Sequence, residues 1–173
     1  MRLVNYSPEK DFELLYLFFS NDENLAKISF PVVIRNRQEF DEYFKMKLNT
    51  SWREFRILEV GDGKHVGFAF SHDHSANHAY LSLGLFDQFQ HSGYGAILAM
   101  LMLRYLFDSY PIEHVFQNVF AYNKESLELN RQGGAELVGT LPRIRFYQGD
   151  FHDMHIFATS RDHFEKLHLN RRC

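Results

Sequence analysis

One cysteine stands in the chain, at position 173, so no internal disulfide framework can form and the composition suits a reducing compartment. Its terminal place reads as an idle exposed thiol. No run reaches the roughly 18 to 20 apolar residues that a bilayer-spanning helix requires, which argues against a membrane partner. The apolar LLYLFF near the start is preceded by Glu9, Asp11 and Glu13 and is followed by no small-residue cleavage site, so a secretory signal is not expected. Charge of one sign is also lacking. A net charge of −3 and a pI near 6.4, with basic residues scattered apart from Arg171 and Arg172, give no footprint for nucleic acid. There is no internal repeat, linker or low-complexity run. What is present is 45% hydrophobic and 16% aromatic content over 173 residues, which predicts one domain, 1–173, with a real core, and a cytoplasmic protein.

The informative stretch runs from Tyr80 to Phe107, YLSLGLFDQFQHSGYGAILAMLMLRYLF. An extended apolar segment, Tyr80 to Phe86, enters a polar turn with Gln90, Gly93 and Gly95, and a long apolar helix follows. Strand, glycine turn and helix together suit a phosphate: glycine lets main chain approach a ligand, and the first helical turn directs unpaired N–H groups and the positive dipole end outward. The same glycines also satisfy an ordinary strand-to-helix turn. A dinucleotide fingerprint needs glycine where Leu98 stands, and a P-loop needs Gly-Lys-Ser/Thr where Gly95, Ala96 and Ile97 stand, so both fail.

Gln-x-x-Gly-x-Gly, from Gln90 to Gly95, resembles the pyrophosphate-binding motif of the GNAT acetyltransferase superfamily. A second segment, VFAYNKESLELNRQGGAELVGTL from Val119, is similar to that superfamily's next block, with Asn123, Ser126, Gly134, Gly139 and Leu141 in order and Ala135 where phenylalanine is usual. The late run FYQGDFHDMHIF looks like its closing hairpin, with Gly149 at the turn and Asp153 before the last strand. The likeness is closest to the ribosomal-protein N-terminal and spermidine acetyltransferase type, covers Tyr80 to Phe157 closely and the rest loosely. It implies an α/β fold: a single-domain, mixed, mostly antiparallel sheet with a central splayed parallel strand pair flanked by helices.

Taken in order, residues 2–6 read as an edge strand, and Ser7 as N-cap with Pro8 at the first position of a helix carrying Phe12, Leu15, Tyr16 and Phe19. A second helical patch spans Glu23 to Ile28 and is broken at Phe30-Pro31. Asn36 and Glu39 form a capping-box pattern opening a helix to about Leu48, with Phe40, Tyr43 and Phe44 inward. Those aromatics read as core, although the resemblance puts this region beside the acceptor pocket. Residues 54–60 and 64–71 form a hairpin around Gly61, Asp62 and Gly63. His72, His74 and His78 invite a metal reading, yet the segment lacks cysteine or an ordered helical pair and reads as a polar hairpin loop, with no metal expected. Pro111 ends the long helix. A strand over 114–122, a helix over 124–133 and strands near 136–146 and 151–159 follow.

The resemblance implies acetyl-CoA as cosubstrate, held by the backbone of Leu85 and Phe86 along the pantetheine arm, by Gln90, His91, Ser92, Gly93, Tyr94, Gly95 and Ala96 at the pyrophosphate, and by Asn123 beside it. Asn123 at a strand end also suits a helix N-cap. Acyl transfer from a thioester needs a deprotonated amine, a donor to the carbonyl and a proton for the thiolate. Many members place a tyrosine seven residues after the asparagine, where this chain has Asn130, which cannot act as an acid. Ser126 or a tyrosine such as Tyr122 or Tyr147 could substitute. The usual strand glutamate is replaced by Tyr80 and Ser82, leaving Asp87, His114 or a water chain as base. The expected activity is direct acetyl transfer to a primary amine, either a small molecule or a peptide. The alternative is a catalytically silent acyl-CoA-binding domain, and a homodimer is an expectation of the resemblance alone.

Overall fold

The structure, a computed structural model, describes residues 1–28, 34–61 and 63–169. Phe30-Pro31, Asp62, Arg171, Arg172 and Cys173 lie outside the described residues. The strands are β1 (Arg2–Val4), β2 (Trp52–Val60), β3 (Lys64–His72), β4 (His78–Leu85), β5 (His114–Phe120), β6 (Glu136–Tyr147) and β7 (Asp150–Ser160). The helices are α1 (Pro8–Phe19), α2 (Asp22–Lys27), α3 (Arg37–Thr50), α4 (Tyr94–Ser109), α5 (Lys124–Gln132) and α6 (Arg161–Leu169). The seven strands form one mixed sheet in the order β1-β2-β3-β4-β5-β7-β6. Its one parallel pair is β4 with β5, through His78, Ala79 and Tyr80 opposite His114, Val115 and Phe116; this ladder ends there while both strands continue.

The chain forms two compact units. The first comprises Met1–Asp73 and Ser82–Met102, the second His74–Leu81 and the residues from Leu103 onward. The core of the first unit is aromatic. Leu15 and Phe19 of α1, Phe40 and Phe44 of α3, and Ile57 and Phe68 on β2 and β3 are buried almost completely. The Phe19 ring lies 5.8 Å from Phe40 and 5.6 Å from Phe68, and Trp52 stacks on Phe70 at 4.2 Å. Such rings bury large apolar areas and add edge and stacking attraction, so the inward stripe on α3 is core. Gly84 is required by this packing, because an added Cβ would stand 2.7 Å from the Phe18 ring and 2.9 Å from Phe68.

Helix ends in the first unit depart in detail from their expected caps. The Ser7 hydroxyl caps nothing; its N–H instead donates to Asp11 Oδ2 at 2.7 Å. Asp11 is fully buried on α1 and is also bonded by the His65 imidazole, so this carboxylate enters the core paired. The second helix starts at Asp22 because the Asn21 side chain accepts the N–H groups of Glu23 and Asn24. Asn36 caps α3 as expected at 3.0 Å from Glu39 N, but Glu39 reaches back to the N–H of Arg35 rather than Asn36.

In the second unit, Val119 on β5, Leu127 on α5 and Phe157 on β7 form a buried cluster. The closing hairpin turns at Gln148 and Gly149, both with positive φ (50° and 88°), the signature of a tight two-residue turn. Asp153 lies inside β7 rather than before it, since β6 carries extra residues between Leu141 (opposite Met154) and Arg145 (opposite His152); Asp153 Oδ1 accepts the Arg143 N–H of that bulge at 2.8 Å. Helix α6 was not expected. It opens where Ser160 Oγ accepts the His163 N–H at 3.2 Å, and Phe164 then packs 5.4 Å from the Phe107 ring. Its first residue, Arg161, donates to the carbonyls of Ile112 (3.0 Å), Phe107 and Tyr110 (both 2.7 Å), satisfying main-chain acceptors at and beyond the end of α4.

Candidate active site

At the end of β4 the chain bends through a short 3-10 turn, Asp87–Phe89, and reaches α4 at Tyr94. His91 (φ 59°) and Gly93 (φ 81°) both take the left-handed conformation, which turns the main chain sharply before the helix. A Cβ added to Gly93 would meet no atom within 4 Å, so open space lies beside its main chain. Tyr94, Gly95 and Ala96 begin α4, and first-turn amides have no acceptor within their own helix. Ser92 stiffens the bend: its hydroxyl donates to the Phe89 carbonyl and accepts weakly from Tyr94 N–H at 3.4 Å. Lys64 brings a cation to this end of β3, with Nζ 4.7 Å above the Phe89 ring.

Gln90 serves the turn by holding it. Its amide donates to Asn24 Oδ1 (3.1 Å) and Asp87 Oδ1 (3.2 Å), while Asn24, only 3% exposed, donates to Asp87 Oδ1 at 2.8 Å and Asn21 to Asp87 Oδ2 at 3.3 Å. The Asp87 carboxylate thus accepts from three side-chain amides and ties α2 to the turn, which is a structural task rather than that of a free base. Sequence reasoning missed this knot, although Asn24 on the short α2 helix and Asn21 at its cap were its visible part. The expectation for Phe86 is corrected as well. Its N–H donates to the Val66 carbonyl (3.1 Å) and its carbonyl accepts from Phe89 (2.8 Å), so its main chain is spent within the fold. Amides alternate along a strand, which directs the N–H of Leu85 to the edge of β4 away from β3.

In the second unit, Asn123 follows β5 and caps α5, its Oδ1 accepting the Ser126 N–H at 3.2 Å while only 8% exposed. Asn130 is buried, donating its amide to the Ser126 carbonyl at 2.9 Å. Tyr122 stands among side chains of three strands. Its ring stacks on Tyr147 at 4.5 Å and Phe120 at 5.4 Å and meets His152 edge-on at 4.9 Å. The Arg145 guanidinium lies 4.9 Å above the Phe120 ring, which stacks on the Tyr122 phenol ring. Burial pushes that phenol's pKa up, and Arg145 opposes the rise. His114 is level with His78, at the opposite end of β4 from Leu85. The histidine loop is used locally: His72 Nδ1 pairs with Asp73 at 2.8 Å and His78 Nδ1 with Ser75 Oγ at 2.7 Å. No group of three or more His, Cys, Asp or Glu among the described residues is placed to hold a metal ion.

The description of the acetyltransferase (GNAT) domain family matches residues 1–136. The chain belongs to the GNAT acetyltransferase family. This GNAT protein is similar to the SPbeta prophage-derived uncharacterized N-acetyltransferase YokL of Bacillus subtilis, at 26% identity over 163 residues, 90% of this chain and 89% of that one. Among solved structures it superposes on the spermidine N-acetyltransferase of Vibrio cholerae in complex with CoA and spermine, with a TM-score of 0.82, 16% identity and coverage of 94% and 96% of the two chains. It also superposes on RimL, a ribosomal L7/L12 alpha-N-protein acetyltransferase in complex with coenzyme A, with a TM-score of 0.74, 14% identity and coverage of 94% and 93%. The structural likenesses establish the fold, and the family match makes this GNAT chain an acyltransferase. No helix among its described residues is long and apolar enough to cross a membrane.

Proposed function

We propose that the protein is an acetyl-CoA-dependent N-acetyltransferase of the cytoplasm that moves an acetyl group directly to a primary amine, on a small molecule or a peptide. The observation that carries this reading is the bend at Gly93, whose open side and following helical amides fit a pyrophosphate. Gln90, His91, Ser92, Gly93, Tyr94, Gly95 and Ala96 would hold that group, the outward main chain of Leu85 the pantetheine arm, and Asn123 would border it. Acetyl-CoA supplies an activated acetyl thioester and a thiolate leaving group. Tyr122 is the residue we assign as the acid, because it is the phenol of the turn between β5 and α5 and its ring is held in place by Tyr147, Phe120 and His152. Ser126 contributes its main-chain N–H to the α5 cap and stands second. Spermidine and ribosomal-protein acetyltransferases among the neighbours support an amine acceptor of either kind. Edge strand β6, with Leu137, Val138, Ile144 and Phe146 at least half exposed, supports a homodimer, which a monomer mass by light scattering would overturn.

One observation favours a silent acyl-CoA-binding domain instead: the family's tyrosine position is Asn130, here buried and bonded to helix main chain. Calorimetric titration with acetyl-CoA, repeated with an analogue lacking the pyrophosphate arm, tests the turn. Saturable binding that weakens with the analogue is expected, and no binding at millimolar ligand would overturn the reading. Thiol release over a panel of amines then separates an enzyme from a silent binder.

A further inference from the structure

We infer that Lys64 is a cosubstrate-binding residue: its ammonium, held at the bend before α4, takes up a phosphate of acetyl-CoA. This rests on the reading of that bend as the cosubstrate site, and the test separates the two.

The path of β3 decides where Lys64 points. His65 is bonded to Asp11 on α1, and the Phe68 ring lies 4.8 Å from that of Phe18 on the same helix. Residues three apart in an unbroken strand point to opposite faces of the sheet. Here both meet α1, because β3 carries one extra residue between Gly67, opposite Leu58, and His65, opposite Glu59. The alternation restarts at His65, so its neighbour Lys64 leaves the sheet on the face away from α1.

What Lys64 meets there belongs to the bend. Its Nζ lies 4.7 Å from the centre of the Phe89 ring, and that ring stands 6.3 Å from the ring of Tyr94, the first residue of α4. The Phe89 carbonyl accepts the Ser92 hydroxyl, and the Val66 carbonyl accepts the Phe86 N–H at 3.1 Å. Main-chain and hydroxyl bonds therefore fix both the strand that carries the lysine and the ring beneath its ammonium.

The balance of charge says what the lysine is for. Among the described residues Lys64 forms no ion pair. The Glu59 carboxylate on β2 pairs with Arg2 at 2.8 Å, and the Asp87 carboxylate of the bend is held by the amides of Asn21, Asn24 and Gln90. An exposed cation over an aromatic face is weakly held, and the four-carbon stem of lysine lets the ammonium turn to a stronger acceptor. A phosphate oxygen is such an acceptor, since a hydrogen bond between two charged groups is about twice as strong as a neutral one. The opening amides of α4 offer a phosphate only partial charges, and Lys64 adds a full one.

The experiment is calorimetric titration of the full chain with acetyl-CoA at about 50 mM and about 500 mM salt. At low salt Lys64→Met is expected to weaken affinity about tenfold, Lys64→Glu about a hundredfold and Lys64→Arg less than about threefold. Screening at high salt is expected to shrink the Lys64→Met loss to about threefold. Lys45→Met removes a cation that pairs with Asp41 on α3, and is expected to leave affinity within about twofold, which separates a local charge from the overall one. Without ligand, Lys64→Met is expected to melt within about 2 °C of the wild type, so lost binding is not lost fold. Acetyl-CoA lacking its 3′-phosphate then assigns the partner: a Lys64→Met loss that persists puts the ammonium on the pyrophosphate, and one that vanishes puts it on the 3′-phosphate. Wild-type affinity in both Lys64→Met and Lys64→Glu overturns the inference alone, as does an equal loss in Lys64→Arg and Lys64→Met. No binding by the wild type at millimolar acetyl-CoA defeats the reading of the bend, and the inference with it.

Discussion

The bend before α4 and the cluster around Tyr122 use different materials for their chemistry. The bend belongs to the first unit and is main chain: two left-handed residues, the amides that open a helix, and side chains whose task is to hold that path. The cluster belongs to the second unit and gathers Tyr122, just past β5, with Phe120, Tyr147, Arg145 and His152 from β5, β6 and β7. A main-chain site tolerates many side chains but few backbone shapes. A side-chain cluster is the reverse, because its rings and donors are what hold it together.

The sharpest way to break this contrast is Gly93→Glu. A carboxylate at the open side of the bend should weaken acetyl-CoA binding more than about a hundredfold by calorimetry, since juxtaposed like charges cost several kcal/mol. Gly93→Asn, which tolerates positive φ, should keep most of the affinity. For the cluster, Tyr122→Phe should lower kcat about a hundredfold with acetyl-CoA affinity unchanged, and Ser126→Ala should stay within about threefold. The opposite ranking would transfer the acid role to Ser126.

Smaller effects sharpen the contrast. Asn24→Leu removes the hub of the knot behind the bend, and should cost about 1 to 3 kcal/mol in denaturant melts and roughly tenfold in acetyl-CoA affinity. Arg161→Met lies outside both sites. It should lower stability by about 1 to 3 kcal/mol through unsatisfied carbonyls and leave acetyl-CoA affinity as it was, separating damage to the fold from damage to the chemistry. The smallest effect concerns Tyr43, whose buried hydroxyl has no hydrogen-bond partner among the described residues and whose pKa burial raises above the ordinary phenol value near 10. The folded state holds this proton more tightly than the unfolded chain. Its contribution is therefore intact below about pH 10 and is lost as pH rises further, a decline that Tyr43→Phe should remove.

How much of this the sequence disclosed follows the same division. The bend from Gln90 to Gly95 was legible as a turn because its glycines and polar residues sit in one short run. Asn36 with Glu39, the hairpin glycines and Asn123 were legible for the same reason: caps and turns are local. Phe86 misled, since whether a strand amide is spent depends on Val66, which no spacing relates to it. Asp87 stood among the candidate bases until its three amide partners appeared, Asn24 from α2, Asn21 at the α2 cap and Gln90 from the turn. The setting of Tyr122 was not legible, because Tyr147 and His152 lie on later strands that no spacing relates to it. Helix α6 was passed over although Ser160, Asp162, Phe164 and Leu167 carry a cap and a helical repeat, the weak signal of a short element next to a long strand.

The clasp of Arg161 on the end of α4 also sets an order of events during synthesis. The carbonyls of Phe107, Tyr110 and Ile112 wait for a side chain that lies at least 49 positions downstream. On a ribosome the apolar length of α4 emerges well before its clasp, with its last turn open to water. The second unit can close only once Arg161 has been made, so a chain stalled or cleaved after Ser160 should be a target for quality control rather than a shortened enzyme.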